Sequence, residues 1–446
     1  MGLCKESLPM FVFPPIEESR SRSADTQAMR SHNASILANL AWAHAEGISR
    51  ADLARDAGLS ASTVSTIVSD LMAADLLSSS HIAPSRGGRP PVVLRFNTQR
   101  NYIIGVEMGA SHVAIALCDL RGAVLWSRSI HHDVPNDPPG TLRLIGELVD
   151  EAKVRPEAQG ELLGLGIAVP CPVDGQTPDR LSPRLLPEWA EVRLAAQLHH
   201  RTDVRVFVDN DANCGALAEA LVGAGQGISD FTFIKVATGV GAGHIVQGQV
   251  YRGFSGIAGE IGHTTVDANG RRCRCGLKGC LEAEIGSGSV IEQAHEAIAG
   301  GRETSLAGIA ELTLADVVAH AKAGDALARE IIADAGSHLG VGVANLLNLL
   351  NPARVIIGGR LSHAGDLLLI PLRETVRDRA LWSSVERAEV VISPLGQSQI
   401  AIGAATLVLR AALADLSLFW ASEQDAPVPA PSQVSSIWRM GGRGRG

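Results

Sequence analysis

Three cysteines and one histidine lie close together in the segment HTTVDANGRRCRCGLKGC, which begins at His263. Cys273, Cys275 and Cys280 are three of the seven cysteines in the chain. Three thiolates and one imidazole complete a tetrahedron around zinc and leave no position for water, as in a structural site. A Cys-x-Cys redox pair would leave Cys280 and His263 without a role, and an iron–sulfur cluster more usually has four thiolates. The spacing therefore favours structural Zn²⁺ over these two alternatives.

A second group of polar side chains lies near the N-terminus, in the segment ISRADLARDAGLSASTVSTIVSDL. Ser49 and Ser60 are suited to cap two short helices, and Gly58 is suited to end the first of them. This spacing is typical of a helix-turn-helix, whose second helix lies in the major groove of DNA. The residues predicted to face DNA on that helix are Ser60, Ser62, Thr63, Ser65 and Thr66.

A plain three-helix bundle has the same pattern and is the alternative to DNA binding. From Ser31 to Pro90 the chain has four Arg, no Lys and five acidic residues, whereas DNA binding usually depends on neutralising phosphates. The segment SRGGRPP follows these helices and carries Arg86 and Arg89. Because a short arm with two arginines suits insertion into a minor groove, it favours operator DNA as a partner.

The composition of the 446-residue chain is that of a globular protein, with 46% hydrophobic and 19% charged residues and a formal net charge of −8. The length predicts two or three domains. No apolar run reaches the ~18 residues that a membrane span needs, and the N-terminus does not read as a signal peptide. We therefore expect a cytoplasmic protein without membrane association, where clustered cysteines are more often metal ligands than disulfides.

Changes in local composition divide the chain into four segments. Residues 1–28 and 421–446 are predicted to be disordered tails, since they cannot bury enough apolar area to become ordered. Residues 29–97 are predicted to form the helix-turn-helix domain. Residues 101–420 alternate between strand and helix patterns, which predicts an α/β domain with mixed sheets. The predicted fold class is therefore multidomain, an N-terminal all-α module followed by an α/β domain.

From about residue 33 to residue 415 the chain resembles the ROK family (repressors, open reading frames, kinases), and more closely its regulator branch. The segments that carry the resemblance are GLSASTVS, GGRPP, VDNDANCGALAE, ATGVGAGHIVQGQVYRGFSGIAGEIGH, CRCGLKGCLE and VIIGGRL. The resemblance implies an actin-like (ribonuclease H-like) ATPase fold of two lobes behind a winged helix-turn-helix, with a sugar pocket between the lobes. It also implies a zinc loop at residues 263–282, with His263, Cys273, Cys275 and Cys280 as ligands.

The resemblance further implies a set of sugar-binding residues, whose matching positions are Asn210, Asp211, Glu260, His263 and Glu282. Carboxylates and an amide supply the paired acceptors and donors that vicinal hydroxyls need. Taken alone, the segment VDNDAN would read as a turn at a strand end, where Asp and Asn are common. The family often places an Asn after the Ser-Pro of its substrate loop, but this chain has Arg184 or Leu185 there. The effector class therefore stays open between a sugar and a sugar phosphate.

Asp211 matches the catalytic base of the kinase members, so the phosphate loops decide between a kinase and a sensor. The family's first loop, Asp-x-Gly-Gly-Thr-Lys, is altered here to Glu107, Met108, Gly109, Ala110, Ser111 and His112. A longer Glu replaces the Asp that orients Mg²⁺, and a mostly neutral His replaces the cation. The second loop and the adenosine-site glycines are kept as Thr238, Gly239, Gly241, Gly243, Gly358 and Gly359. We interpret the first loop, the second loop and these glycines as vestiges of a phosphate-binding site. ATP and Mg²⁺ are therefore in doubt as cofactors.

Together these features predict a sugar-responsive, DNA-binding transcriptional regulator, more specifically a repressor of carbohydrate-metabolism genes. We expect it to pair as a homo-oligomer, a dimer or a tetramer. The alternative is an ATP-dependent hexose kinase, glucokinase-like, with a DNA-binding appendage, and the altered first phosphate loop argues against it. A third hypothesis, a non-catalytic assembly protein whose helical module binds protein, is disfavoured by SRGGRPP.

Overall fold

The computed structural model describes residues 26–80, 92–174, 177 and 179–420, which form two compact units. The first unit comprises the described residues up to Asp209, residues 254–256 and the described residues from Ala404 onward. The second comprises Asn210–Gly253 and Ile257–Gly403. The predicted tails lie outside the described residues, except that the first helix already begins at Thr26, inside the stretch predicted as a tail. Arg86 and Arg89 also lie outside the described residues.

The first unit begins with three helices and a small antiparallel sheet. The elements are α1 (Thr26–Ala43), β1 (Ile48–Ser49), α2 (Arg50–Ala57), α3 (Ala61–Ala73), β2 (Leu77–Ser80) and β3 (Val93–Phe96). The three strands are ordered β1-β3-β2. The buried side chains of α3 are Val64, Ile67, Val68 and Leu71. Their spacing of three and four residues puts them on one face of the helix and leaves the opposite face to solvent.

The predicted helix caps are confirmed. Ser49 Oγ accepts a hydrogen bond from the Asp52 amide at 3.1 Å, and Ser60 Oγ accepts one from the Thr63 amide at 3.1 Å. Gly58 ends α2 with φ +66°, a left-handed conformation that glycine adopts without steric cost. The tight turn between α2 and α3 therefore follows from local residue chemistry.

The rest of the first unit is built on a five-stranded mixed sheet. Its elements are β4 (Asn101–Met108), β5 (His112–Asp119), β6 (Val124–His131), α4 (Pro138–Lys153), β7 (Glu161–Val169), α5 (Leu194–Thr202) and β8 (Val206–Asn210). The strand order is β6-β5-β4-β7-β8, with β4 antiparallel to β5 and parallel to β7. All eight residues of β4 are buried, as expected for a central strand.

The second unit repeats this plan. Its elements are α6 (Asp211–Val222), β9 (Phe231–Val236), β10 (Val240–Val246), β11 (Gln249–Tyr251), α7 (Leu281–Ile285), α8 (Ser287–Ala299), α9 (Leu314–Ala323), α10 (Ala326–Leu350), β12 (Arg354–Gly358), α11 (Asp366–Arg379), α12 (Trp382–Val385) and β13 (Glu389–Ile392). The sheet order is β11-β10-β9-β12-β13, again three antiparallel strands followed by parallel partners. The predicted mixed α/β sheets are confirmed.

The last long helix, α13 (Gln399–Ala414), carries the chain out of the second unit and into the first. The helical stretch Gly396–Ala414 is long and apolar enough to span a membrane, but 67% of it is buried inside the protein. This degree of burial is typical of a core helix.

Polar side chains attach α1 to other elements of the first unit. Asn39 is fully buried and donates to the Leu413 carbonyl at 2.9 Å, near the end of α13. Ser35 donates to the Ala414 carbonyl at 3.0 Å, and Trp42 Nε1 donates to the Leu120 carbonyl at 2.9 Å. Hydrogen bonds to backbone acceptors have strict geometry, so they fix how the three-helix module sits within its own unit.

Candidate functional site

The predicted metal ligands converge in the second unit. His263 ends a short 3₁₀ turn, and Cys280 immediately precedes α7. The four ligand atoms of His263, Cys273, Cys275 and Cys280 all lie within 4.8 Å of one another. Cys273 Sγ is 3.6 Å from His263 Nδ1, and Cys275 Sγ is 3.7 Å from Cys280 Sγ. Two sulfurs bound tetrahedrally to zinc at ~2.3 Å would be about 3.8 Å apart, so the donor set fits such an ion.

The backbone of residues 263–282 folds tightly to bring these ligands together. The Cys273 amide donates to the Leu277 carbonyl at 2.8 Å, and the Gly276 amide donates to the Cys273 carbonyl at 2.9 Å. Gly279 has φ +70°, and a Cβ there would lie 1.6 Å from the Asp267 carbonyl oxygen, so only glycine fits. Burial raises the pKa of the Cys273 and Cys280 thiols. A bound cation would reverse that effect, because it stabilises the thiolates.

Asn210 and Asp211 lie where β8 meets α6. Asn210 caps α6, since its Oδ1 accepts from the Ala212 amide at 2.9 Å and from the Asn213 amide at 3.3 Å. Asp211 Oδ2 accepts a hydrogen bond from Lys235 Nζ at 2.7 Å. The two side chains of this ion pair are only 12% and 13% exposed. Asp211 is therefore held by a cation that comes from β9.

Glu282 is held even more completely by its own unit. Arg274 donates from Nε to Glu282 Oε1 at 2.8 Å and from Nη2 to Glu282 Oε2 at 3.3 Å. The Val240 amide donates to Glu282 Oε2 at 3.0 Å. Arg274 lies between Cys273 and Cys275 in the chain, so the metal loop itself supplies the arginine that fixes this carboxylate.

Glu260 lies beside the same group of residues. Its Oε2 is 3.9 Å from His263 Nε2. Burial raises the pKa of Glu260, and the neighbouring carboxylates Asp211 and Glu282 raise it further, while His263 opposes the shift. The effect on Glu260 indicates that the carboxylates of Asp211 and Glu282 lie near it. The structure thus brings all five residues predicted to bind sugar into the second unit.

The first phosphate loop, between β4 and β5, is filled by its own histidine. A Cβ built on Gly109 would lie 2.2 Å from His112 Cε1 and 2.4 Å from His112 Nδ1. The ring therefore covers the backbone of Gly109, and its Nε2 is 3.6 Å from Glu107 Oε2. Glu107 is itself buried. A loop that binds phosphate through backbone amides needs open space over its glycines, and His112 takes that space here.

In the second glycine segment, Thr238 and Gly239 lie between β9 and β10, whereas Gly241 and Gly243 lie within β10. Its Val240 amide already donates to Glu282. A Cβ on Gly239 would lie 3.0 Å from Glu282 Oε2 and 3.3 Å from Arg274 Nη2, so the Arg274–Glu282 pair lies against this loop. Gly358 ends β12 and packs against Phe233 and Gln399. Packing therefore accounts for Gly358 without a nucleotide.

On α3 the predicted DNA-facing hydroxyls lie on the side opposite the buried stripe. Ser60, Ser62, Ser65 and Thr66 are exposed, and Thr63 is half-buried. Ser60 Oγ is 2.9 Å from Ser62 Oγ and 2.8 Å from Thr63 Oγ1. The arrangement presents a hydroxyl-rich surface at the N-terminal end of α3.

A comparison with known protein families matches residues 103–411 to the ROK family. The chain belongs to the ROK family. The similarity extends beyond the matched domain to regulators of the family. The chain is 32% identical over 367 residues to the xylose repressor of Caldicellulosiruptor bescii, covering 81% of this chain and 92% of that protein.

Two solved ROK structures resemble this one. A ROK family transcriptional regulator, a homologue of the Escherichia coli MLC protein, matches with a TM-score of 0.74 and 29% identity over 87% of this chain and 98% of that one. A ROK family glucokinase from Streptomyces griseus, in complex with glucose and AMPPNP, matches with a TM-score of 0.62 and 28% identity over 69% of this chain and 98% of that one. The chain is thus a ROK protein of the transcriptional-regulator branch, with the actin-like kinase fold.

Lys235 and Arg274 contact this group of carboxylates, but no sequence pattern predicts that they do. Lys235 was visible as a lone cation in the apolar strand segment FTFIKV, and Arg274 as an arginine between two predicted metal ligands. Neither pattern indicates which carboxylate the cation contacts. Only the fold shows that the two cations reach two of the predicted sugar-binding carboxylates.

Proposed function

We propose that this chain is a cytoplasmic, sugar-responsive transcriptional repressor that binds operator DNA and controls genes of carbohydrate metabolism. The observation that carries the proposal is the combination, in one chain, of a hydroxyl-lined helix on a three-helix module and a group of three carboxylates in a kinase-like fold. The similarity to a protein named xylose repressor, over 81% of this chain, supports it.

The N-terminal module acts as a winged helix-turn-helix. The helices α2 and α3 are joined by the tight turn at Gly58, and β2 and β3 form a hairpin that would be the wing. In this motif the second helix enters the major groove with its N-terminal residues on base edges. Ser60, Ser62, Thr63, Ser65 and Thr66 would then contact bases or phosphates. The role of Arg86 and Arg89 in the minor groove stays a prediction.

The sugar site consists of Asn210, Asp211, Glu260, His263 and Glu282. Ionised carboxylates are strong acceptors, and their hydrogen bonds to hydroxyls are shorter and stronger than neutral ones. Several fixed acceptors in one place suit the vicinal hydroxyls of a sugar. The support for this site is that cations hold Asp211 and Glu282 in place, and that Glu260 Oε2 lies 3.9 Å from His263 Nε2.

The Cys₃His cluster holds a structural zinc ion. The ligands would be His263 Nδ1 and the sulfurs of Cys273, Cys275 and Cys280, whose mutual distances suit a closed tetrahedron. Such an ion contributes folding free energy to a loop that has little core of its own. Its binding would fix Arg274, and through Arg274 the carboxylate of Glu282.

The second candidate function is a hexose kinase, favoured by the similarity to a glucokinase and by Asp211 at the position of the base. Two observations argue against it. His112 covers Gly109 in the first phosphate loop, and Glu282 takes the Val240 amide of the second. A carboxylate beside a phosphate loop also repels phosphate. We therefore propose that catalysis has been lost while the sugar site remains.

A kinase assay separates the two candidates. With ATP, Mg²⁺ and a panel of hexoses, we expect turnover to be absent or far below the usual kinase range of ~1–100 s⁻¹. Restoring the first loop with the triple change Glu107→Asp, Ala110→Gly and His112→Lys would test whether this loop is the cause. Ordinary kinase rates in the unaltered protein would make the kinase the better interpretation.

Pairing of two chains would complete the DNA-binding function. One helix-turn-helix makes few contacts, and the module from Ser31 to Pro90 has four Arg against five acidic residues. Dimers of this motif place two reading helices in successive major grooves. We propose that the protein acts as a homodimer or a tetramer of such dimers.

A further inference from the structure

Two cations in the second unit are paired with two of the proposed sugar-binding carboxylates. Lys235 reaches Asp211 at 2.7 Å, and Arg274 reaches Glu282 through two hydrogen bonds, the shorter at 2.8 Å. Both carboxylates are largely buried, with side-chain exposures of 13% for Asp211 and 9% for Glu282. A buried carboxylate without a partner is costly, so these two cations hold the acceptors in place.

The contacts of Lys235 and Arg274 show how far each cation is available to bind a ligand. Lys235 comes from β9 and lies opposite Gly241 in the β9–β10 pairing. Arg274 uses two of its nitrogens on Glu282 and lies against Gly239. Each cation is thus already committed to a carboxylate. A sugar phosphate would bring about two further negative charges beside Asp211 and Glu282, whose cations are already paired.

We propose that Lys235 and Arg274 are positioning residues of the sugar site, and that by balancing Asp211 and Glu282 they make it selective for an uncharged sugar. This inference rests on the proposed sugar-sensing function and narrows its ligand class. The paired carboxylates remain good acceptors for neutral hydroxyls, because each carboxylate has lone pairs beyond those that the cation uses. To bind either cation, a phosphate group would have to displace the carboxylate that is paired with it.

Ligand selectivity is tested by calorimetric titration of the full-length, zinc-containing protein. The panel contains aldopentoses, aldohexoses, N-acetylhexosamines, disaccharides and the 6-phosphates of the hexoses. We expect one or more uncharged sugars to bind, and the 6-phosphate of a bound hexose to bind at least 10-fold more weakly. Tighter binding of the 6-phosphate would show that the inference is wrong.

The role of Lys235 is tested by a double-mutant cycle with Lys235→Met, Asp211→Asn and the double variant. Lys235→Met should weaken sugar binding about 10- to 100-fold, since a charged hydrogen-bonding partner is lost. In the Asp211→Asn background the same change should cost little more, because Lys235 acts through Asp211. Lys235→Arg should recover part of the affinity. If the loss of sugar affinity in the double variant equals the product of the two single losses, Lys235 contacts the sugar directly. That outcome would contradict the positioning role.

Arg274→Gln should likewise weaken sugar binding, and Arg302→Gln is its matched control, because Arg302 pairs with Glu330 at the surface of the same unit. Lys322→Met, at an exposed position of α9, is the control for Lys235→Met. Zinc content and thermal midpoint are measured for every variant. If Lys235→Met and Arg274→Gln lower the midpoint but leave the sugar affinity of the folded protein unchanged, both residues are merely structural and the inference fails.

Operator binding distinguishes failure of this inference from failure of the proposed function. If a sugar phosphate binds best and weakens operator binding, the repressor function stands and the inference is wrong. If an uncharged sugar binds best but leaves operator affinity unchanged, the inference stands and the proposed sugar-responsive function is wrong. If no member of the panel binds, both are wrong.

Discussion

At the scale of residues, ion pairs in the second unit hold a group of largely buried carboxylates in place. Arg274 lies in the loop that brings three cysteines together, and it is also the hydrogen-bonding partner of Glu282. Such a partner fixes a carboxylate better than lysine would, since the guanidinium donates two hydrogen bonds in one plane. Arg274 therefore links the proposed zinc site to the proposed sugar site.

Purified protein should carry about one zinc per chain, and Cys275→Ser should lower both the metal content and the midpoint of thermal unfolding, because zinc binding contributes directly to folding. Cys118→Ser, in buried β5, is the matched control and should keep its zinc. Elemental analysis combined with thermal denaturation checks both outcomes. Iron in place of zinc, or no metal at all, would contradict the prediction.

At the scale of elements, the parts that the sequence predicts well are those determined by neighbouring residues. The caps at Ser49 and Ser60 and the turn at Gly58 depend on contacts only three or four positions away. The pair Lys235–Asp211 joins residues 24 positions apart and depends on how α6 packs against β9. No local sequence pattern encodes that packing, so only the fold shows the pair.

The attachment of α1 was missed for the same reason. Trp42 is 4% exposed, donates to the Leu120 carbonyl and lies under the Arg121 guanidinium, whose Cζ is 5.2 Å from the ring centroid. These partners are about eighty positions away in the chain. The three-helix module is therefore anchored by contacts that a sequence pattern cannot show.

We expect Trp42→Phe to lower the free energy of unfolding by about 1–3 kcal/mol, because the buried Leu120 carbonyl loses its donor. Trp382→Phe is the matched control, since Trp382 is 73% exposed, and it should change the free energy by no more than about 0.5 kcal/mol. Urea denaturation of the full-length variants measures both. An effect of Trp42→Phe as small as that of the control would show that the anchoring contact contributes little.

At the scale of the whole molecule, the proposed repressor needs two reading helices on one operator. Light scattering should give the mass of a dimer or a tetramer at concentrations where operator binding is strong. The operator should be roughly palindromic, with half-sites ~34–36 Å apart or a multiple of that distance. Selection of binding sites from random DNA checks the symmetry. A monomer that binds a single asymmetric site with full affinity would contradict this part of the account.

Sugar binding and operator binding must also be linked in both directions. If a sugar weakens operator binding by some factor, the operator weakens sugar binding by the same factor. Asp211→Ala removes a proposed sugar ligand in the second unit and alters no residue of the reading helix in the first. We therefore expect this variant to bind operator but to have lost its response to sugar.

The most direct test of the central claim is the operator affinity of the full-length protein with and without the sugar that titration identifies. Fluorescence anisotropy of labelled operator, at one fixed salt concentration, gives that affinity for the unaltered protein and for Asp211→Ala. The account predicts that sugar weakens the unaltered protein's binding by about 5- to 150-fold and leaves the binding of Asp211→Ala unchanged. An operator affinity that does not change in the presence of a sugar shown to bind would contradict it.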